Sequence, residues 1–156
     1  MLRISKLADY ATVILGVLAQ ERARQLTTTQ LAGQTGLSAT TVSKVLKRLQ
    51  RAGLVVSTRG SHGGYALARS PDAISAAAIL DALEGPVQLT DCAAGHGQCG
   101  IEETCRVSTT WKRVNHAIRR ALGDVSLAQL AGLDRMEHFS VALRPRTSIH
   151  VEREQR

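Results

Sequence analysis

The sequence predicts a mainly α-helical chain with one β-hairpin, and three observations predict it. Apolar residues recur at helical spacing in four separate stretches. Gly36, Gly53, Gly85-Pro86 and Gly123 punctuate them, and one pair of short β-type runs flanks Arg59-Gly-Ser-His-Gly. With 156 residues the chain has room for about one domain and a small appendage, enough to bury a single core without disulfides.

Leu7, Ala11, Ile14, Leu15 and Leu18 repeat at helical spacing behind Ser5, an N-cap residue, so a first helix is expected from Lys6 to Gln20. Asp9 lies near its start on another face, where a carboxylate complements the helix dipole. After a polar linker, Glu21 to Thr28, a short helix from Gln30 to Thr35 runs into Gly36. Leu37 anchors the turn, Ser38 caps, and a second helix runs from Ala39 to Arg51, which makes a helix-turn-helix. Its buried stripe is Val42, Val45, Leu46 and Leu49, while Thr40, Lys44, Lys47 and Arg51 repeat on the opposite face. A merely solvated face normally mixes Glu with Lys. This one carries no acid, which favours a recognition helix entering the major groove of DNA. Ser38, Thr40, Thr41, Ser43 and Lys44 are then candidates for base edges or nearby phosphates, and Lys47, Arg48 and Arg51 for phosphates.

Gly53 ends that helix. Leu54-Val-Val-Ser-Thr and Gly64-Tyr-Ala-Leu-Ala read as the strands of a hairpin of the winged-helix kind, with Arg59 and His62 at its tip. Such a tip reaches the minor groove, where an Arg favours narrow A·T-rich segments; the plainer alternative is a surface turn. Pro71-Asp-Ala-Ile-Ser75 leads into a helix from Ala76 to Leu83 that Gly85-Pro86 ends. A longer helix, capped by Ser108 and stopped at Gly123, carries Val107, Trp111, Val114, Ile118 and Ala121 in steps of four and three. That seam suits a homodimer interface, since palindromic operators ask for two-fold proteins. Val125 to Leu133 adds one or two helical turns, and 134–156, which has no usable period, is expected to be a disordered tail. The expected organisation is therefore a winged helix-turn-helix over 1–84, a cysteine loop over 85–106, and a dimerisation helix with a short successor over 107–133.

Charge is unevenly distributed. The net charge is +7 and the pI about 10.0. From Arg22 to Pro71 there are eight basic residues and no acid, whereas Asp72 to Cys105 holds six acids and no Lys or Arg. The first segment suits phosphates. The opening residues fit neither a signal peptide nor a membrane span, so a cytoplasmic protein is expected. No internal repeat, nucleophile-base set, Walker loop or dinucleotide fingerprint is present, which argues against an enzyme.

All three cysteines, Cys92, Cys99 and Cys105, fall in one Gly-rich polar stretch, with six and five residues between them. They cannot all pair within one chain, and buried structural cysteines would sit among apolar neighbours. Convergent thiolates point to a metal or cluster. His96 would complete a Cys3His zinc site on paper, and thiolates serve iron-sulfur clusters equally.

The opening Leu-Arg-Ile-Ser-Lys-Leu-Ala-Asp-Tyr-Ala, the helix-turn-helix, the wing Arg-Gly-Ser-His-Gly-Gly-Tyr-Ala-Leu-Ala-Arg, the Leu-Glu-Gly-Pro stretch and the cysteine loop together resemble the winged-helix iron-sulfur regulators of the IscR and NsrR type. The likeness covers residues 1–133 and is closest to the branch that regulates SUF-type cluster assembly. It implies a homodimer whose long helices cross, and a [2Fe-2S] or [4Fe-4S] cluster on the three cysteines of each subunit. The IscR branch adds a His three residues after the last cysteine, a position held here by Ser108. The NsrR branch adds an Asp from the partner's first helix, the place of Asp9. His96, Glu102, Glu103 and His116 are the other candidates.

The leading expectation is thus a DNA-binding regulator that senses iron-sulfur status and represses assembly genes. One alternative is a winged-helix regulator with structural zinc or a thiol-redox or nitric-oxide switch. Another, from a different class, is a metal-trafficking or cluster-scaffold protein.

Overall fold

In the computed structural model, which describes residues 4–60, 63–91, 99–100 and 105–133, helix α1 (Lys6–Gln20) starts at Ser5, whose Oγ accepts from Ala8 N at 3.2 Å. Ala11, Ile14, Leu15 and Leu18 are buried as the spacing predicts, Ala8 and Ala19 are buried with them, and Leu7 is half-buried. Helix α2 (Thr28–Thr35) begins two residues before its predicted start because Thr27 and Gln30 form a capping box. Thr27 N donates to Gln30 Oε1 at 2.8 Å and Gln30 N to Thr27 Oγ1 at 3.2 Å. Gly36, at φ 71, turns the chain, Ser38 Oγ accepts from Thr41 N at 3.2 Å, and α3 (Ala39–Arg51) follows within its predicted bounds.

Strands β1 (Val55–Thr58) and β2 (Gly64–Leu67) pair antiparallel, Val55 opposite Leu67 and Thr58 opposite Gly64. The linker before α2 is not plain connection. Leu26 is fully buried and bridges to Tyr65, with N–H to carbonyl distances of 3.0 and 2.8 Å, adding a third, one-residue edge to the wing. Glycine is required at the hairpin's return, since a Cβ on Gly63 would lie 2.3 Å from the Thr58 carbonyl and one on Gly64 would lie 2.9 Å from the Leu26 backbone.

A 3-10 turn (Pro71–Ala73) leads into α4 (Ala76–Glu84), capped by Ser75 and ended by Gly85 at φ 85. Helix α5 (Ser108–Asp124) departs from expectation at both ends. Ser108 is not its cap: Val107 holds the N-cap position without a side-chain bond, and the buried Ser108 hydroxyl instead donates to the Cys105 carbonyl at 3.1 Å. Gly123 does not stop it either. The helix ends after Asp124, where extended Val125 accepts from Ala76 N at 2.8 Å and draws the chain out of helical geometry.

Helix α6 (Leu127–Leu130), opened by a Ser126–Gln129 capping box, packs on α1. Leu127 N donates to the Ile74 carbonyl at 2.7 Å, and Leu127 and Ala128 are buried. The last described element therefore belongs to the same core as Leu31, Leu46, Leu49, Ile74 and Ile79. Helix α5 contributes little to that core; its buried residues are Ser108 and Asn115 alone. Among the described residues, no helix is long and apolar enough to cross a membrane.

Candidate nucleic-acid interface and cysteine loop

The two faces of α3 separate cleanly. Val42, Val45, Leu46 and Leu49 are fully buried, which fixes the helix in rotation, and Thr40, Lys44, Lys47 and Arg51 are exposed on the other side. Ser43 and Thr41 are half-buried, and Thr41 Oγ1 lies 2.9 Å from Ser38 Oγ, so the Ser38 and Thr41 hydroxyls belong first to the cap. Among the described residues, Lys44, Lys47, Arg51 and Arg59 have no ion-pair partner, whereas Arg24 binds Glu21 at 2.8 Å and Arg22 lies 4.0 Å from Asp72. The Glu21 hydrogen bond, and then its charge, raise the Arg24 pKa. The acids that flank the cationic segment thus take up its first two charges.

Arg48 does not join the exposed set. It follows Val45 by three residues, so it flanks the buried stripe, and its Nη1 donates to the Leu83 carbonyl at 2.6 Å. That carbonyl is in the last turn of α4, which has no intrahelical donor for it and favours a cation. Arg48 ties the reading helix to α4 rather than standing toward solvent with Lys47. Arg59 is exposed at the end of the wing, and His62 lies outside the described residues.

The last turn of α4 collects further ties. Glu84 Oε1 accepts from Ser5 N at 3.0 Å, and Asp81 pairs with Arg119 of α5. Asn115 Oδ1, buried in α5, accepts from Leu89 N at 3.1 Å and so anchors the segment leading to the cysteines. None of these contacts was anticipated; each joins residues at least 26 positions apart, and nothing local marks them.

Of the candidate metal ligands, Cys99 and Cys105 are half-buried free thiols, while Cys92, His96, Glu102 and Glu103 lie outside the described residues. Asp9 is exposed in the first turn of α1, and His116 is exposed on α5. Among the described residues, no three His, Cys, Asp or Glu side chains come together. The surroundings of Cys105 nevertheless suit an anionic ligand set. It lies just before α5, whose first turn holds no acid and whose N-terminal N–H groups have no side-chain cap.

On the seam of α5, Val107, Trp111 and Val114 are 56%, 43% and 39% exposed, and Ala121 is exposed as well. Ile118 is half-buried and lines a groove of about 450 Å³ with Ile4, Leu80 and Leu122. Among the described residues the seam is therefore mostly uncovered, and Ile118 marks where it turns inward.

Comparison with known proteins agrees with this architecture. The family described as "Rrf2: Iron-dependent Transcriptional regulator" matches residues 4–132. The HTH-type transcriptional regulator IscR of Erwinia tasmaniensis is 29% identical over 130 residues, covering 83% of this chain and 78% of that protein. Among solved structures, CymR, the global cysteine regulator of B. subtilis, is 29% identical with a TM-score of 0.67, covering 86% of this chain and all of the other. IscR of T. potens is 27% identical with a TM-score of 0.62, covering 88% and 93%.

Proposed function

The chain belongs to the Rrf2 family of winged-helix transcriptional regulators, and from that premise we propose that it is a homodimeric repressor that reports iron-sulfur status to SUF-type cluster assembly genes. The observation that carries the reading is the pairing, in one chain, of an acid-free exposed face on α3 with the Cys105 thiol just before the uncapped start of α5. Thr40 and Lys44 read base edges or nearby phosphates, Lys47 and Arg51 hold the backbone, and Arg59 enters the minor groove. Cys92, Cys99 and Cys105 hold the cluster, and Asp9 of the partner subunit completes it. A bound cluster supplies a group whose integrity depends on iron, oxygen or nitric oxide.

Ser108 fixes the Cys105 backbone at the base of α5, so a rearrangement of the cysteines is delivered to that helix. Arg119 passes it to α4 through Asp81, and Arg48 connects the α4 terminus to α3. The proposal thus has a contiguous physical route from the loop to the reading head. A metal-trafficking or scaffold role, left open by the sequence, gives way to the family's regulatory one.

A second reading, in which the thiols respond directly to redox state without a cluster, is favoured by the likeness to CymR of Staphylococcus aureus, whose structure is known in an oxidized form. Anaerobic purification separates the two. Stoichiometric iron and sulfide, with visible charge-transfer absorption and DNA affinity that changes when the iron is chelated, supports the first. Colourless protein whose DNA affinity follows thiol oxidation supports the second.

A further inference from the structure

Successive residues of β1 face opposite sides of the hairpin, and its last two are held from opposite directions. Ser57 shares a side with buried Val55, and there Gln50 Nε2, in the last turn of α3, donates to Ser57 Oγ at 2.9 Å. Thr58 shares a side with exposed Val56, and there Gln25 Nε2 donates to Thr58 Oγ1 at 2.9 Å. Gln25 adjoins Leu26, whose backbone pairs with Tyr65, and Thr58 pairs with Gly64. The missing side chain of Gly64 is what lets the Leu26 segment approach β2 closely enough for Gln25 to reach across. Gln25 Oε1 is buried with no hydrogen-bond partner among the described residues, so within that set this amide is held by the wing alone. Arg59 is the next residue after the clamp.

We infer that Gln25 and Gln50 are the positioning residues of the wing: together they grip the two sides of β1 and set the direction in which Arg59 leaves the hairpin. The inference rests on the reading above that Arg59 meets DNA. A two-stranded ribbon is only marginally stable by itself. A cation at its end would sweep a wide arc, and DNA would have to order it on binding. Two short bonds just before the turn remove that motion beforehand, so the ordering cost falls before the encounter. One bond starts from the reading helix itself, so the angle between wing and α3 is set together with the register of α3 on DNA. Neither glutamine stands out in the sequence, because Gln25 lies in a polar linker, Gln50 lies off the buried stripe of α3, and each acts on a residue 33 or 7 positions away.

Full-length protein carrying Gln25→Ala, Gln50→Ala or both, each with and without Arg59→Ala, is titrated against the duplex that the unaltered protein selects from a randomised pool. Each single glutamine variant is expected to lose about threefold in affinity and the pair about tenfold, with the thermal midpoint nearly unchanged. Amide exchange across Val55–Thr58 and Gly64–Leu67 should quicken in the same variants. In the Arg59→Ala background the losses should vanish, because no tip cation is left to aim. Equal losses with and without Arg59 overturn the inference and make the glutamines direct contacts or general supports. Unchanged affinity in the glutamine variants, while Arg59→Ala weakens binding, overturns it and leaves the wing's role standing. An Arg59→Ala variant that binds like the parent overturns the wing reading and this inference with it.

Discussion

Arg119 and Asp81 face each other fork to fork, Nη1 to Oδ1 at 3.2 Å and Nη2 to Oδ2 at 3.0 Å, and this pair fastens the long helix α5 to α4. The two-point geometry fixes orientation as well as distance, which a single Lys contact would not. Three residues after Asp81, Glu84 holds the N-cap of α1, and between them the Leu83 carbonyl receives Arg48 from α3. One helical turn therefore meets the helix that follows the cysteines, the helix that carries Asp9 and the helix that carries the candidate DNA contacts.

Replacing Arg119 with Ala should lower stability by about 1 kcal/mol, since both partners are about one-third exposed and water screens the pair. Thermal or urea unfolding of Arg119→Ala, Asp81→Ala and the double variant measures it. The double variant should be hardly worse than either single one. Additive losses would mean that each residue stabilises something other than its partner.

Lys47 and Arg48 are neighbours with opposite expected behaviour. Lys47→Ala should weaken binding to all DNA and reduce the salt slope by about one unit. Arg48→Ala should cost about 1–2 kcal/mol of stability through the lost bond to Leu83, and leave the slope as it was. Thr40→Ala should erode the preference for operator over random DNA with little change in slope. Titrations at several salt concentrations decide all three, and a reduced slope for Arg48→Ala would return that residue to the phosphate contacts.

For the dimer seam the informative substitution is Trp111→Glu. Ile118 is half-buried and lines a groove with Ile4 and Leu80, so Ile118→Glu would confound folding with assembly. Trp111 is 43% exposed in the subunit, and a carboxylate there should spare the monomer while an interface that buried it would lose several kcal/mol. Sedimentation should show monomer, with operator affinity falling alongside. A Trp111→Glu variant that remains dimeric would move the interface off this face.

Asp9 is exposed and, among the described residues, makes no side-chain hydrogen bond or ion pair, so Asp9→Ala should fold like the parent. As a ligand, an oxygen donor is harder and more easily lost than thiolate, which suits a sensor. Asp9→Ala is then expected to retain some iron, with shifted absorption and faster cluster loss in air or nitric oxide. Cys99→Ala should lose the cluster outright. Identical spectra and decay for Asp9→Ala and parent would reduce Asp9 to a dipole-compensating residue and turn attention to His96, Glu102, Glu103 and His116.

What the sequence determined by itself is local. Ser5, Ser38 and Ser75 cap the helices they precede, the apolar periods of α1 and α3 name their buried residues, and the glycines around Arg59 announce the wing. The acid-free face of α3 together with the wing also pointed to a DNA-binding regulator, because residue type and spacing survive in one dimension. Tertiary structure decided what depends on meeting. Leu26 looks like linker until Tyr65 pairs with it, Arg48 reads only as a candidate phosphate contact until it also bonds the Leu83 carbonyl, and Ser108 looks like a cap until it turns back to Cys105. Leu127 joins the core only because α6 returns to α1. The physical reason is range. Caps and periods act within a turn or two, so their residues must stand at fixed spacing. A hydrogen bond or ion pair across helices needs only two groups that the fold brings together, and it leaves no period in the chain.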